Sequence, residues 1–244
     1  IVKIKIIMNV CIIGSGLTSL SLAKNLVNKK INVTIYQKKI FNKVSSNRTI
    51  GISKNNLEFF EKEISKISKK ICWEIKKIEI FSEKIKKHKI LNFEQNKENL
   101  FYMVKNKELY KLLNDQLIKN KHFKKRIIIK KNFNENLFKN YDLIINCDQN
   151  NPIYKKYFIK KIGKNYKNIA YTTILEHDRI ENNSAIQIFT QSGPIAFLPI
   201  SKTKTSVVCS LDIKNKSYDK YEILDLINKH NPKYKIKKIQ KLSN

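Results

Sequence analysis

The sequence is poor in the residues that define several classes of protein. Its 244 residues include only four cysteines, five glycines, four prolines and four histidines, and no two cysteines form a Cys-x-x-Cys pair. Isolated cysteines of this kind predict free thiols in a reducing compartment and argue against a disulfide framework or a zinc site. We therefore predict a cytoplasmic protein without a metal centre.

Arginine is also scarce. Only three of the 50 basic residues are Arg, although the formal net charge is +30. A charge of this size suggests nucleic acid, but base readout and bidentate phosphate contacts favour Arg over Lys. Lys, Ile and Asn make up nearly half of the chain, and all three have A/T-rich codons. A biased genome therefore accounts for the charge, and we predict no nucleic-acid partner.

Long uncharged stretches are few, and neither of the two present has the form of a membrane span. Residues 6–23 are interrupted by Gly14 and Gly16, and residues 182–201 contain Pro194 and Pro199. A spanning helix needs about 20 predominantly apolar residues, and such breaks are unfavourable within it. The hydrophobic content of 41% instead permits a buried globular core.

Residues 9–39 have the pattern of a βαβ unit. Residues 10–13 are a continuous apolar run, typical of a strand buried on both faces of a parallel sheet. A glycine turn follows, and apolar residues then recur at helical spacing before a second strand at residues 32–36. The turn matches Gly-x-Gly-x-x-Gly, except that Ser19 stands at the third glycine. Gly14 suits a tight turn, Gly16 lets a pyrophosphate approach the backbone, and Ser19 is small enough for close helix–strand packing.

The end of the second predicted strand departs from the usual pattern. An acidic residue is expected there to bind the ribose hydroxyls, but the sequence has Gln37, followed by Lys38 and Lys39. Gln37 still accepts a hydrogen bond, and the lysines would tolerate a 2′-phosphate. Binding of NADP therefore stays open as an alternative at this point.

The remaining pattern alternates helices and strands and then changes to strands alone. We predict a helix capped by Ser53, two strands within residues 75–93 with a turn near Lys86-Lys87, a helix at 106–119, and strands at 127–129 and 143–145. After Pro152 we predict an antiparallel meander, with strands at 166–176, 185–190, 195–199 and 206–211, and a helix at 218–229. Glu176 and His177 are adjacent on one strand, so they should face opposite sides. We predict solvent-facing or rim positions for both.

Six segments together resemble the FAD-dependent aromatic hydroxylases of ubiquinone biosynthesis, which belong to the para-hydroxybenzoate hydroxylase superfamily. In order along the chain, they are residues 9–39, 47–53, 102–106, 141–148, 185–189 and 193–199. The resemblance implies an α/β fold with two parts. A Rossmann-like FAD-binding domain with a parallel sheet would comprise residues 1–74 and 98–164, and an incomplete antiparallel-sheet substrate domain would comprise 75–97 and 165–244.

The resemblance also implies cofactor-binding residues. The FAD pyrophosphate would lie at the glycine turn and the start of the helix, at Gly14, Ser15, Gly16, Leu17 and Thr18. Gln37, with Lys38 beside it, would face the adenosine ribose. Arg48 would lie along the flavin, and Asp148 would lie near the cofactor. Two departures stand out. Gln149 replaces the glycine that follows the aspartate in the family, and no Gly-Asp pair occurs anywhere in the chain. We therefore expect a C-terminally truncated member or a fragment.

The function implied by the resemblance is hydroxylation of a phenol ring that carries a polyprenyl chain, with NAD(P)H and O2. Such a substrate would be met at a membrane, which implies peripheral contact with the inner membrane surface or with other proteins of the pathway. Two alternatives stay open: an inactive, truncated Rossmann-like remnant or scaffold subunit, and an NADP-dependent reductase.

Overall fold

The computed structural model describes residues 8–38, 48–84, 89–94, 98–128, 135–157, 162–214 and 216–243. The elements in chain order are β1 (Asn9–Ile13), α1 (Leu17–Asn28), β2 (Asn32–Lys38), β3 (Thr49–Ser53), α2 (Lys54–Glu63), β4 (Cys72–Ile75), β5 (Lys77–Ser82), β6 (Lys89–Glu94), β7 (Phe101–Lys105), α3 (Asn106–Ile118), β8 (Phe123–Ile128), a 3-10 turn (Glu135–Phe138), β9 (Leu143–Asn146), α4 (Pro152–Tyr157), β10 (Asn168–His177), β11 (Ser184–Thr190), β12 (Gly193–Ser201), β13 (Lys204–Asp212), α5 (Lys220–Lys229) and β14 (Ile236–Ile239). Within the described ranges, no helix combines the length and apolar character needed to cross a membrane.

The chain divides into two compact units. Unit 1 comprises Ile1–Val44, Glu58–Lys66 and Glu108–Gly163, and unit 2 comprises Ser45–Leu57, Ile67–Lys107 and Lys164–Asn244. These units differ from the predicted domains mainly at residues 45–57, 67–74 and 98–107, which lie in unit 2. The assignment of the predicted domains to FAD and to substrate stays a prediction.

Unit 1 contains a four-stranded parallel sheet in the order β8-β2-β1-β9. The apolar run of β1 is buried because parallel strands flank it on both sides: Val10 pairs with Val33 of β2 and with Leu143 of β9. The helix α1 buries its predicted apolar positions Leu20, Ala23 and Val27. The predicted βαβ unit is therefore present, with the glycine turn between β1 and α1.

Unit 2 contains two sheets. A seven-stranded sheet has the order β14-β10-β13-β12-β11-β5-β6, and its pairs are antiparallel except for β11 and β5. A smaller antiparallel sheet has the order β3-β7-β4. One face of the large sheet packs against α5, where Ile223, Ile227 and Tyr234 meet Phe197 and Val207 in a buried cluster. The predicted α/β class, with a parallel sheet and an antiparallel sheet, is confirmed.

Polar side chains that belong to unit 2 cap the beginnings of α2 and α5. Ser53 Oγ accepts a hydrogen bond from the N–H of Asn56 (3.3 Å), so the predicted cap of α2 is confirmed. At α5, Asp219 accepts from the N–H of Glu222 (2.8 Å), and the Glu222 carboxylate accepts from the N–H of Asp219 (3.0 Å). This reciprocal pair is a capping box. The predicted turn near Lys86-Lys87 lies outside the described residues.

His177 is buried, so the prediction of a rim position is wrong. Its side chain is 3% exposed. The ring nitrogen Nδ1 donates to the carbonyl of Asp178 (2.7 Å), and Nε2 accepts from the hydroxyl of Thr205 (3.0 Å). The Thr205 oxygen in turn accepts from Asn182 Nδ2 (3.0 Å). His177 pairs with Ile236 of β14 after a register shift between Glu176 and His177, and its ring packs against Tyr234 of the α5 core cluster (4.6 Å between ring centroids).

All four cysteines are free thiols, as predicted. Cys11 on β1 and Cys209 on β13 are buried, and burial raises the pKa of each thiol to about 12. A thiol reacts through its thiolate form, so these two side chains are chemically inert and serve as small apolar groups in the core.

Candidate functional site

The turn between β1 and α1 needs glycine at its first position for two reasons. Gly14 has φ +119°, a conformation that residues with a Cβ rarely adopt. A Cβ atom there would also lie 3.2 Å from the carbonyl carbon and oxygen of Cys147 and 3.2 Å from Ser19 Oγ. The N–H of Gly14 donates to the carbonyl of Tyr36 (2.9 Å), which fixes the turn to the end of β2.

Gly16 serves a different purpose, because nothing in the described part of the chain requires it to be small. A Cβ at Gly16 would have no neighbour within 4 Å. Its φ of −76° and ψ of 179° are open to any residue, and it is the N-cap of α1. No side chain caps this helix, and its first turn contains no acidic residue. The first N–H groups of α1 therefore face an exposed approach with partial positive charge, which favours an anion.

Ser19 stands where the third glycine of the motif would be, and it is fully buried, as its predicted role in close packing requires. Its hydroxyl has no hydrogen-bond partner among the described residues. A buried hydroxyl without a partner costs about 1–3 kcal/mol of stability. The position therefore tolerates serine at an energetic cost.

Two other predicted residues lie at the same edge of the sheet. Gln37 follows Tyr36, the residue to which the glycine turn is bonded, and it is half-buried near the end of β2. Asp148 follows β9 by two residues, next to Cys147, whose backbone faces Gly14. The carboxyl ends of parallel strands β1, β2 and β9 thus bring Gly14, Gln37 and Asp148 to one edge, where ligands of such sheets bind. Lys38 ends β2, but its side chain and all of Lys39 lie outside the described structure.

The loop after β9 is held by its own side chains. Asn146 Oδ1 accepts from the N–H of Asp148 (3.0 Å), and Asp148 Oδ1 accepts from the N–H of Asn150 (2.9 Å). Asn151 is 2% exposed; its Nδ2 donates to Asn146 Oδ1 and to the carbonyl of Asp148, and its Oδ1 accepts from the N–H of Tyr154 (3.0 Å). The sequence analysis missed Asn151, although an Asn before Pro152 is a signal for a helix start.

Gln149 does not require the backbone conformation of the glycine that it replaces. Within the described ranges, positive φ angles at residues other than glycine occur only at Lys30 and Lys167. The chain therefore turns after Asp148 with ordinary backbone angles, supported by the Asx interactions of this loop. The substitution changes the turn without straining it.

Arg48 belongs to unit 2, whereas the other predicted cofactor-binding residues belong to unit 1. It immediately precedes β3, its side chain is exposed, and its carbonyl accepts from the N–H of Asn106 (3.0 Å). This bond joins the beginning of β3 to the end of β7, with which β3 pairs in antiparallel register. The backbone of Arg48 is thus fixed, and its predicted place beside the flavin stays a prediction.

No protein-family model and no curated protein matches the sequence. Solved structures do match it. A geranylgeranyl bacteriochlorophyll reductase-like protein of Thermoplasma acidophilum is 16% identical with a TM-score of 0.67, and the match covers 97% of this chain and 65% of that chain. The p-nitrophenol 4-monooxygenase PnpA of Pseudomonas putida is 10% identical with a TM-score of 0.69, and the match covers 96% of this chain and 67% of that chain. CtdE, solved in complex with FAD and substrate, is 12% identical with a TM-score of 0.68, and the match covers 91% of this chain and 63% of that chain.

The chain shares the fold of flavin-dependent monooxygenases. Because the identities lie between 10% and 16%, the likeness concerns the fold and not the chemistry of individual residues. The chain spans 63% to 67% of the length of these three structures. The resemblance found in the sequence is therefore confirmed at the level of the fold alone.

Proposed function

We propose that this chain forms the FAD-binding unit and the substrate sheet of a flavin-dependent aromatic hydroxylase. The observation that carries the proposal is the turn from β1 to α1. It combines a Gly14 that admits no side chain with an uncapped helix start behind an open Gly16. In a parallel sheet this arrangement suits the pyrophosphate of a dinucleotide, and the fold is that of FAD-dependent enzymes.

The residues present fit FAD at this edge of the sheet. The pyrophosphate would be held by N–H groups at the start of α1, with Ser15, Gly16, Leu17 and Thr18 around it. Gln37 would accept a hydrogen bond from the adenosine ribose, with Lys38 beside it. Asp148 and Arg48 are proposed to lie toward the flavin. Bound FAD would accept electrons from NAD(P)H and supply the oxidising chemistry by which O2 hydroxylates a ring.

The substrate would bind the face of the seven-stranded sheet that α5 does not cover. One row of paired residues crosses four strands of this face: Thr172, Val208, Ala196 and Gln187. These side chains alternate with core residues such as Phe197 and Val207, and all four are half-buried. Three are small or apolar and none is charged, which favours a neutral ring such as a phenol. The residues of this row would orient the ring and exclude water from it.

The finer assignment is a phenol that carries a polyprenyl chain, as in ubiquinone biosynthesis. Its support is the sequence resemblance and the uncharged character of the proposed substrate row. A polyprenyl substrate would require contact with a membrane, which a Lys-rich surface favours through anionic headgroups. The chain should then float with vesicles containing anionic phospholipid at low salt. Failure to float would contradict the membrane contact without affecting the FAD proposal.

The cofactor proposal is tested by the visible absorbance of the purified chain after incubation with FAD and removal of excess. We expect flavin bands that co-elute with the protein. A chain that stays colourless would contradict the proposal and favour a remnant or scaffold subunit.

A matched pair of variants makes this test specific. Gly16→Asp places a carboxylate at the N-cap, where Asp stabilises a helix but repels a pyrophosphate. We expect FAD affinity to fall at least about a hundredfold, while the folded state is kept or slightly stabilised. Gly163→Asp is the control, because a Cβ there also meets nothing within 4 Å and the charge change is the same. Equal FAD affinity in both variants would exclude this turn as the site.

A reductase is the second candidate. The observation that favours it is the match to the reductase-like protein of Thermoplasma acidophilum, which covers 97% of this chain. The two activities differ in their use of oxygen: a hydroxylase consumes O2 in proportion to NAD(P)H and product, whereas a reductase turns over without O2. Product formation under strictly anaerobic conditions would favour the reductase.

A further inference from the structure

A groove of about 710 Å³ lies in unit 2, and all its lining residues belong to that unit. Hydrogen bonds between separate segments fix its floor. The indole Nε1–H of Trp73 donates to the carbonyl of Asn182 (2.6 Å), and the N–H of Lys76 donates to the carbonyl of Asn183 (2.9 Å). Asn182 is 1% exposed, and its Nδ2 donates to the carbonyl of Ser201 (2.8 Å). The groove therefore combines the volume of a small-molecule site with a fixed floor.

Four cations from four different segments line this groove: Lys69, Lys76, Arg179 and Lys202. Several lysines elsewhere in unit 2 pair with carboxylates, as Lys204 does with Glu176 (3.2 Å) and Lys237 does with Asp178 (2.6 Å). In contrast, none of the four groove cations has an ion pair within the described part of the chain. Their charges are available to a ligand. Arg179 adds a planar fork of donors that matches the geometry of a phosphate.

The other lining groups narrow the class of ligand. Trp73, the only tryptophan of the chain, is half-buried in the groove wall, and its ring is suited to stacking on a planar base. Glu74 and Glu181 also line the groove. Carboxylates are the groups that commonly bind ribose hydroxyls. A simple anion would find these two carboxylates unfavourable, whereas a nucleotide has a hydroxyl-bearing sugar to place beside them.

We propose that this groove binds a nucleotide with two phosphates, separately from the turn between β1 and α1. The four cations hold the phosphates, Trp73 stacks on the base, and Glu74 or Glu181 accepts hydrogen bonds from the ribose. The proposal does not depend on the hydroxylase activity, because it rests on unit 2 alone.

Trp73 makes the site directly observable. Adenosine diphosphate is titrated into the FAD-saturated protein, or into the cofactor-free protein if no FAD binds, at about 0.15 M salt. Trp73 emission and the heat of binding are followed together. We expect saturable binding with a change in emission, and at least about tenfold weaker binding of pyrophosphate or adenosine alone. Equal affinity for pyrophosphate and for adenosine diphosphate would overturn the nucleotide assignment, as would the absence of binding heat.

Variants separate this groove from the general positive charge and from the glycine turn. Arg179→Gln and Lys202→Gln should each weaken adenosine diphosphate at least about tenfold. Lys111→Gln on α3 removes the same charge outside the groove and should leave the affinity within about twofold. Gly16→Asp should also leave it unchanged. Equal losses in Lys111→Gln, or loss in Gly16→Asp with no loss in Arg179→Gln, would overturn the site. Far-UV circular dichroism checks the fold of each variant.

Discussion

The starts of α1 and α5 solve the same physical problem in opposite ways. Every α-helix begins with N–H groups that lack partners within the helix. At α5, the Asp219 side chain and Glu222 occupy these groups through a capping box. At α1, Gly16 offers no side chain, and the first turn has no acidic residue. One helix start is completed by its own sequence, and the other is left open.

The capped helix starts serve the stability of the fold, whereas the uncapped start of α1 serves the proposed ligand site. Ser53 also caps α2, and Asn151 accepts from the N–H of Tyr154 at the start of α4. The chain therefore uses capping residues at three helix starts and omits them at α1. Relative to Gly, a capping side chain there would stabilise the helix by only about a few tenths of a kcal/mol. The start of α1 therefore stays open to an anionic ligand at little cost in stability, which supports the proposed FAD site there.

Among the residues at the uncapped start of α1, we expect substitution of Gly14 to lower the stability of the protein most. Gly14→Ala forces a side chain onto a residue with φ +119° and against the carbonyl of Cys147. We expect the free energy of unfolding to fall by about 2–3 kcal/mol, measured by urea denaturation of the cofactor-free chain. Gly163→Ala is the control and should change stability by less than about 0.5 kcal/mol. Equal effects would mean that the turn has no special backbone requirement.

The closed start should depend on its cap. Asp219→Ala removes the acceptor for the N–H of Glu222, and we expect a loss of about 1–2 kcal/mol in the free energy of unfolding. Asp225→Ala removes the same charge from an exposed position on α5 and should have an effect below about 0.5 kcal/mol. If both variants behave alike, the capping box contributes no more than an ordinary surface charge.

The sequence predicted the open start better than the rest of the molecule, because its signals are local. The apolar run, the glycines and the helical spacing all lie within about 20 residues. In contrast, β3, β7 and β14 were not predicted as strands. Thr49 of β3 pairs with Lys105 of β7, and β14 is an edge strand with Lys237 and Lys238 at its centre. Strands of this kind are defined by distant partners, which local patterns do not reveal.

Register explains the remaining errors of the sequence analysis. Alternation along β10 does not reveal the register shift between Glu176 and His177 in the pairing with β14, or the contact with Tyr234 that goes with the burial of His177. The loop after β9 is similar. Its side-chain hydrogen bonds support a turn that does not need a glycine at position 149, and no short sequence motif predicts this arrangement.

Substitution of Ser19 tests whether its buried hydroxyl at the uncapped start of α1 lowers the stability of the protein. Its buried hydroxyl has no partner in the described structure, so Ser19→Ala should raise the free energy of unfolding by about 1 kcal/mol. Ser21→Ala on the same helix is the control, and it should add only the difference in helix propensity, about 0.5 kcal/mol. A loss of stability in Ser19→Ala would show that the hydroxyl has a favourable partner in solution.

Acid should affect the closed helix start and spare the open one. The hydrogen bond from Lys216, followed by the N–H of Asp219, lowers the pKa of Glu222 below its ordinary value of 4.5. A lowered pKa in the folded state contributes stability above pH 4.5, and this contribution is lost as the pH falls through the folded value. Hydrogen exchange of the first α5 amides, corrected for intrinsic rates, should therefore accelerate between about pH 5 and pH 3. The first turn of α1 has no carboxylate to protonate, so its amides should show no such change. Glu222→Gln should reduce the acid response of α5, with the Asp219 carboxylate still in place, and an equal response at both helices would contradict the comparison.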